Sequence, residues 1–392
     1  MHDDLLNTII LLGAVQGGVL AAVLAARKND RVANRLLAAL VGALSLMLLF
    51  GVLERRWGQS NPHLLGLGSP LPFLFGPFLY LYIVALTRPA ARFEPRWLVH
   101  GLPFAAYVLY MSQLFYLKGG AEKLALVQAY LAGQAPPSLQ LVELLQPIQA
   151  MSYLLVSWLA LRRYSRKIEG YFSDLARIDL RWLMAMVVAH AAVWSIVTVN
   201  AALRAAGIAP ASLQGFSHAI QVGSVLVVFL TGYVSLWQPA LFEKAQAARA
   251  AEPAPRPLPK YQRNRLDDEE AKELARKLTA RMNDGKLYRD SGLTLQALAD
   301  EVGATPHMLS QVLNLHLRKS FFVFVNSYRA EALMAALADP AQRQRGVLEL
   351  ALEAGFNSKS TLNSFFKRYT GLTPSEFRQR RPPAKTVQIS AS

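Results

Sequence analysis

The chain contains no cysteine, so disulfides, thiolate metal sites and a thiol redox switch are all excluded. Its seven histidines (2, 63, 100, 190, 218, 307 and 316) show no metal-ligand spacing of the HExxH kind, and neither a metal nor a cofactor is expected. No P-loop and no Ser/His/Asp arrangement stands out, so the sequence offers little to an enzyme. Charge is scarce and lopsided: only 17% of residues are charged, and Lys and Arg outnumber Asp and Glu by 42 to 26. The resulting +16 points to an anionic partner, nucleic acid or a lipid surface. What the sequence has in quantity is apolar surface, 53% of its residues with a positive mean hydropathy of +0.23. A uniform soluble globule would not combine that figure with 42 basic residues, so two classes of segment are averaged together.

Apolar runs of roughly 20 residues recur through the first 240 positions, the length a helix needs to cross a bilayer. Seven are expected, near 5–26, 33–53, 64–87, 97–117, 138–161, 180–203 and 214–237. The first lacks the basic start of a cleavable signal peptide and reads as an anchor. The third carries Pro70, Pro72, Gly76 and Pro77, which predict a kink. Loops one, three and five together hold thirteen Lys or Arg, including Arg27, Arg92, Arg162 and Arg163, whereas the alternate loops hold five. The positive-inside rule then places the N-terminus outside and the C-terminus in the cytoplasm of a bacterial inner-membrane protein. Among the polar residues within these runs, Gln113, Gln149, His190, Asn200 and His218 are candidates to line a ligand cavity for a small-molecule or membrane signal. Interhelical hydrogen bonding is the competing reading for each.

From about 241 to 265 the composition turns to Ala and Pro, with prolines at 253, 255, 257 and 259, which favour an extended linker. A helix is expected near 267–284, with an acidic start. A helix, turn, helix pattern then occurs twice. In the first, Thr294 and Thr305 are expected caps, Gly303 the turn, and His307, Ser310, Gln311 and Asn314 the outward face. In the second, Gly355 makes the turn and Asn357 or Ser358 caps. Leu362, Phe365, Phe366 and Tyr369 form an apolar stripe at i, i+3, i+4 and i+7. Lys359, Ser360, Asn363, Ser364, Lys367 and Arg368 lie off that stripe, where donors and cations suit base edges and phosphates. Thr373 and Glu376 are spaced as a capping box. The segment "SFFVFVNSYRAEALMAAL" reads as one connecting helix.

Residues 293–380 resemble the DNA-binding domain of the AraC/XylS family of transcription regulators. The resemblance is carried by "LTLQALADEVGATPHMLSQVLN", "SFFVFVNSYRAEAL" and "ALEAGFNSKSTLNSFFKRYTGLTPSEFR". Leu362 stands where the family usually has Phe, Ser364 and Gln311 where a cation is common, and Arg318 where Gly usually follows the first recognition helix. The expectation is an all-α chain with four parts: a seven-helix transmembrane sensor bundle at 1–240, the linker at 241–265, a double helix-turn-helix domain at 266–382 and a disordered tail at 383–392. It would bind double-stranded promoter DNA from the bilayer. RNA polymerase and a second copy of the chain are further candidate partners. The alternative is a transporter or membrane scaffold with a fused protein-interaction module.

Overall fold

The computed structural model describes residues 2–28, 31–88, 92–132, 134, 136–174, 180–205 and 267–380, with 220, 223–227 and 230 besides. The expected linker, the tail and nearly all of the seventh apolar run, 214–237, lie outside the described residues. The described residues are helical, with no strand and a single isolated bridge between Phe172 and Thr294. The chain divides into two compact units: one comprises Met1–Arg162 and Leu180–Phe242, the other Arg163–Asp179 and Glu243–Ser392. The stretch Arg163–Asp179, inside the expected first domain, thus groups with the C-terminal helices.

The first unit contains α1 (His2–Ala26), α2 (Arg31–Trp57), α3 (Pro72–Thr87), α4 (Leu102–Met111), α5 (Gly120–Leu131), most of α6 (Pro137–Glu169) and α7 (Arg181–Ala205). Five of its helical stretches are long and apolar enough to cross a membrane: Asn7–Ala26, Arg31–Trp57, Pro95–Tyr116, Pro137–Glu169 and Trp182–Leu203. The third expected run is shorter than the sequence suggested. Helix α3 begins only at Pro72, after turns through 62–71, because Pro70 and Pro72 lack N–H groups and restrict the residues before them. Gly76 sits where α3 meets α6: a Cβ there would come within 2.7 Å of Tyr153 Cβ, so the close approach needs glycine. Helix α5 was not expected at all; it forms between two apolar runs.

The second unit contains α8 (Asp268–Asp284), α9 (Leu295–Glu301), α10 (Pro306–Gln311), α11 (Phe321–Ala338), α12 (Val347–Glu353), α13 (Lys359–Thr370) and α14 (Pro374–Arg380). Helix α11 is apolar enough by composition to resemble a span, but the reason is different. It serves two cores at once. Phe321, Phe324 and Val325 pack with Leu298, Leu309 and Leu313, whereas Phe322, Leu333 and Leu337 pack with Leu350, Leu362 and Phe366. The helix pairs α9–α10 and α12–α13 therefore both pack on α11.

Candidate nucleic-acid interface

Each turn follows from its residues. Thr294 Oγ1 accepts from Ala297 N–H at 3.2 Å, and Thr305 Oγ1 from Met308 N–H at 3.2 Å, so both threonines cap as expected. Ser358, not Asn357, caps α13: its Oγ accepts from Thr361 N–H at 3.0 Å. Thr373 and Glu376 close a capping box, with Thr373 N–H 2.7 Å from Glu376 Oε2. Gly355 has φ +95°, and a Cβ there would lie 2.3 Å from the Tyr288 carbonyl, so two chain segments meet at a residue that must lack a side chain.

On α13, Thr361, Leu362, Phe365 and Phe366 are buried, while Lys359, Ser360, Asn363, Ser364, Lys367 and Arg368 are exposed on the other side. The six residues expected to meet DNA thus share one face. Two are less free than the sequence implies. Ser364 Oγ donates to the Ser360 carbonyl at 2.8 Å, which spends its proton on the helix. The Arg368 guanidinium lies over the Phe365 ring, 5.4 Å from its centroid, which steadies an exposed charge.

On the first pair, His307 and Asn314 are exposed and Ser310 and Gln311 half-buried. Here the helix does not run on regularly: α10 passes into a π-helical turn, Val312–His316, and Asn314 Nδ2 donates to Ser310 Oγ at 3.2 Å. Arg318, which ends this turn, has φ +49°, the left-handed conformation that a glycine would adopt without strain.

A segment the sequence did not single out completes the module. Tyr171, Phe172, Ser173 and Asp174, just past α6, are folded against both helix pairs. The Tyr171 carbonyl accepts from Leu295 N–H at 3.0 Å, satisfying a free donor at the start of α9. Ser173 Oγ donates to the Leu293 carbonyl at 2.7 Å. Thr361 Oγ1, in the first turn of α13, donates to Asp174 Oδ1 at 3.1 Å. The anchor of the segment is Arg329 of α11, which is completely buried. Its guanidinium donates to the carbonyls of Tyr288 (2.7 Å), Asp290 (2.7 Å) and Ser173 (3.2 Å), and to Ser173 Oγ (3.0 Å). Burial pushes Arg329 down to about 10, against the opposing pull of Asp174 and Asp290, so it stays charged at neutral pH. We call Tyr171–Asp174 the strap.

The described residues among those expected to line a ligand cavity have different surroundings. Gln113 is exposed on a π-helical turn, and Gln149 Nε2 donates to the Phe73 carbonyl at 3.1 Å. Asn200 is buried, and His218 lies outside the described residues. His190 lines a small cavity with Gln146, Trp194 and Ser224. Among the described residues no group of three or more His, Asp or Glu side chains could hold a metal.

Residues 298–380 match the family described as Helix-turn-helix domain. The chain is also similar, at 30% identity over 106 residues, to an uncharacterized HTH-type transcriptional regulator of Staphylococcus aureus (strain COL). That stretch is 27% of this chain but only 14% of the relative. No solved structure matches the chain. The helices between residues 298 and 380 thus form a helix-turn-helix domain, which supports a DNA-binding regulator.

Proposed function

We propose that the protein is a membrane-tethered, one-component transcription regulator. Its first unit crosses the bacterial inner membrane and senses a signal, and its second reads promoter DNA from the cytoplasmic face. The observation that carries this reading is the strap. A segment lying between two apolar helices, α6 and α7, is built into the DNA-binding module, so the membrane part and the effector share a folded element as well as a linker. Two further features support it. Helix α1 leaves Leu5, Leu12, Val15 and Val19 about 60% exposed (61%, 62%, 59% and 61%), an apolar exterior suited to lipid and costly in water. The basic residues Arg162, Arg163, Arg166 and Lys167 gather towards the strap end of α6, where the positive-inside rule places cytoplasm.

In this reading both helix pairs enter DNA. Lys359, Ser360 and Asn363, at the start of α13, meet base edges, with His307, Ser310 and Gln311 in the equivalent places on α10. Lys367 and Arg368, in the last turns, bind backbone phosphates. Because α11 is shared by the two cores, the spacing of the two recognition helices is fixed. The strap is the route by which the membrane unit biases the module, since Asp174 holds the first turn of α13 and Phe172 pairs with the cap of α9.

Two measurements test this. Alkaline phosphatase fused at the C-terminus should be inactive and green fluorescent protein bright; the reverse pair overturns the orientation. Changing Lys367 and Arg368 together to Ala should reduce the salt slope of DNA binding by about one to two. An unchanged slope removes α13 from the phosphate contacts.

A further inference from the structure

The first unit holds a cavity of about 430 Å³ among α2, the turn at Gly66–Ser69, α4 with the π-helical turn that follows it, α5 and the start of α6. Met111, Leu114, Phe115, Val127 and Leu139 give it apolar walls. Two charged residues line it, and both are carboxylates, Glu54 and Glu143; no Lys, Arg or His is among the described lining residues. Glu143 accepts a hydrogen bond from the Tyr130 hydroxyl. Two cations lie near without lining the cavity, and the charge of Arg55 acts on Glu54. Arg55 Nε donates to Asn7 Oδ1 at 2.9 Å, and Lys123 Nζ lies 5.5 Å from the Phe115 ring centroid and 3.1 Å from His63 Nδ1.

A second cavity of about 100 Å³ shares Met47, Pro72 and Gln146 with the first. His190 lines it, 5% exposed. Its Nδ1 is 2.9 Å from the Met186 carbonyl oxygen, which can only accept, so Nδ1 carries the proton. Nε2 is left with a lone pair, buried, and with no hydrogen-bond partner among the described residues. Two carboxylates thus line the first cavity, and an imidazole nitrogen lines the second, which shares part of its wall.

We propose that these cavities bind a small amphiphilic amine, its ammonium held by Glu54 and Glu143 and its apolar body running past Met47 and Pro72 towards His190. An ammonium group supplies donors and no acceptor, and it is attracted to aromatic faces such as those of Phe115 and Tyr107. A carboxylic acid would meet two like charges, and a neutral ligand would bring neither carboxylate a cation. A hard metal cation fits worse, because it takes six or more oxygen ligands and these walls are apolar. The inference rests on the reading of the first unit as the sensor and names the chemistry of its signal.

Full-length protein in phosphatidylcholine nanodiscs, titrated by calorimetry against empty discs, tests it with three probes of one shape: 3-phenylpropylamine, 3-phenylpropanol and 3-phenylpropionate. The amine should bind saturably and at least tenfold tighter than the alcohol, and the acid should not bind. Glu54→Gln and Glu143→Gln should each weaken the amine at least tenfold and leave the alcohol unchanged. If one variant misfolds, as judged by its thermal unfolding, the other carries the test. Equal binding of alcohol or acid, no saturable amine binding, or indifference of the amine to the substitutions overturns the proposal. DNA binding measured with and without the amine separates the two claims: amine binding that never alters promoter occupancy leaves the ligand assignment standing and removes the sensor reading.

Discussion

Replacing Arg329 with Met keeps much of the side chain's length but deletes a guanidinium that reaches three carbonyls and one hydroxyl. The Tyr288, Asp290 and Ser173 carbonyls would lose this donor in a dry interior. Removing one partner of a buried charged network costs about 3–5 kcal/mol. The Leu295 amide reports on the loss directly, because its hydrogen bond goes to the Tyr171 carbonyl and opens when the strap detaches. In the full-length protein, hydrogen exchange at Leu295 should quicken by about a hundredfold to several thousandfold, at 1.4 kcal/mol per factor of ten. Ser173→Ala is the gentler companion. It removes the hydroxyl that joins Arg329 Nη2 to the Leu293 carbonyl and should speed the same amide about five- to a hundredfold, for a loss of about 1–3 kcal/mol. Amides of α11 such as Leu333, which packs in the other core, should stay protected in Ser173→Ala. If Leu295 exchanges at an unchanged rate in both variants, the strap does not depend on this network and the reasoning fails.

Gly355→Ala should destabilise the module by at least about 2 kcal/mol, since it forces a left-handed conformation and drives a methyl into the Tyr288 carbonyl; a denaturation midpoint that does not move would contradict the geometry. Arg318→Gly should instead stabilise it by about 0.5–1 kcal/mol, raising the unfolding temperature, because the φ of +49° is easier for glycine. Asn363→Ala should cost about 1–3 kcal/mol on a preferred site and little on random DNA in a binding assay at fixed salt; equal losses would mean that Asn363 reads no base. Hydrogen bonds hold the Glu353 carboxyl (from Arg345) and the Glu376 carboxyl (from the Thr373 backbone) below their ordinary value. Their contribution is therefore complete above about pH 4.3 and lost as the pH falls further, so an acid titration of unfolding should steepen only there.

Much of the second unit was legible in the sequence because its signals are local. Thr294, Thr305 and Thr373 cap where their spacing from the apolar stripes says they should, and Leu362, Phe365 and Phe366 are buried at helical intervals. The six polar residues of α13 share a face for the same reason. Other features were hidden because they join distant positions. The strap has no periodicity of its own, and its partners are far along the chain: Leu293, Arg329 and Thr361 for Ser173 and Asp174. Glu54 and Glu143 are 89 positions apart, each near the edge of an apolar run, and only the fold puts them around one cavity. Among the described candidate ligand residues, His190 alone lines one of the two cavities, because polarity within an apolar run says nothing about which way a side chain faces.

The strap also changes what it means to cut this chain. In the proposed reading, a cut in the Ala- and Pro-rich stretch 241–265 would be the simplest way to free the effector. Here the severed module would still grip Tyr171–Asp174 through Arg329, Leu295 and Thr361, and so stay with the fragment that carries α6 and α7. Release would take two events, scission of the linker and withdrawal of the strap, and neither alone would set the DNA-binding domain adrift.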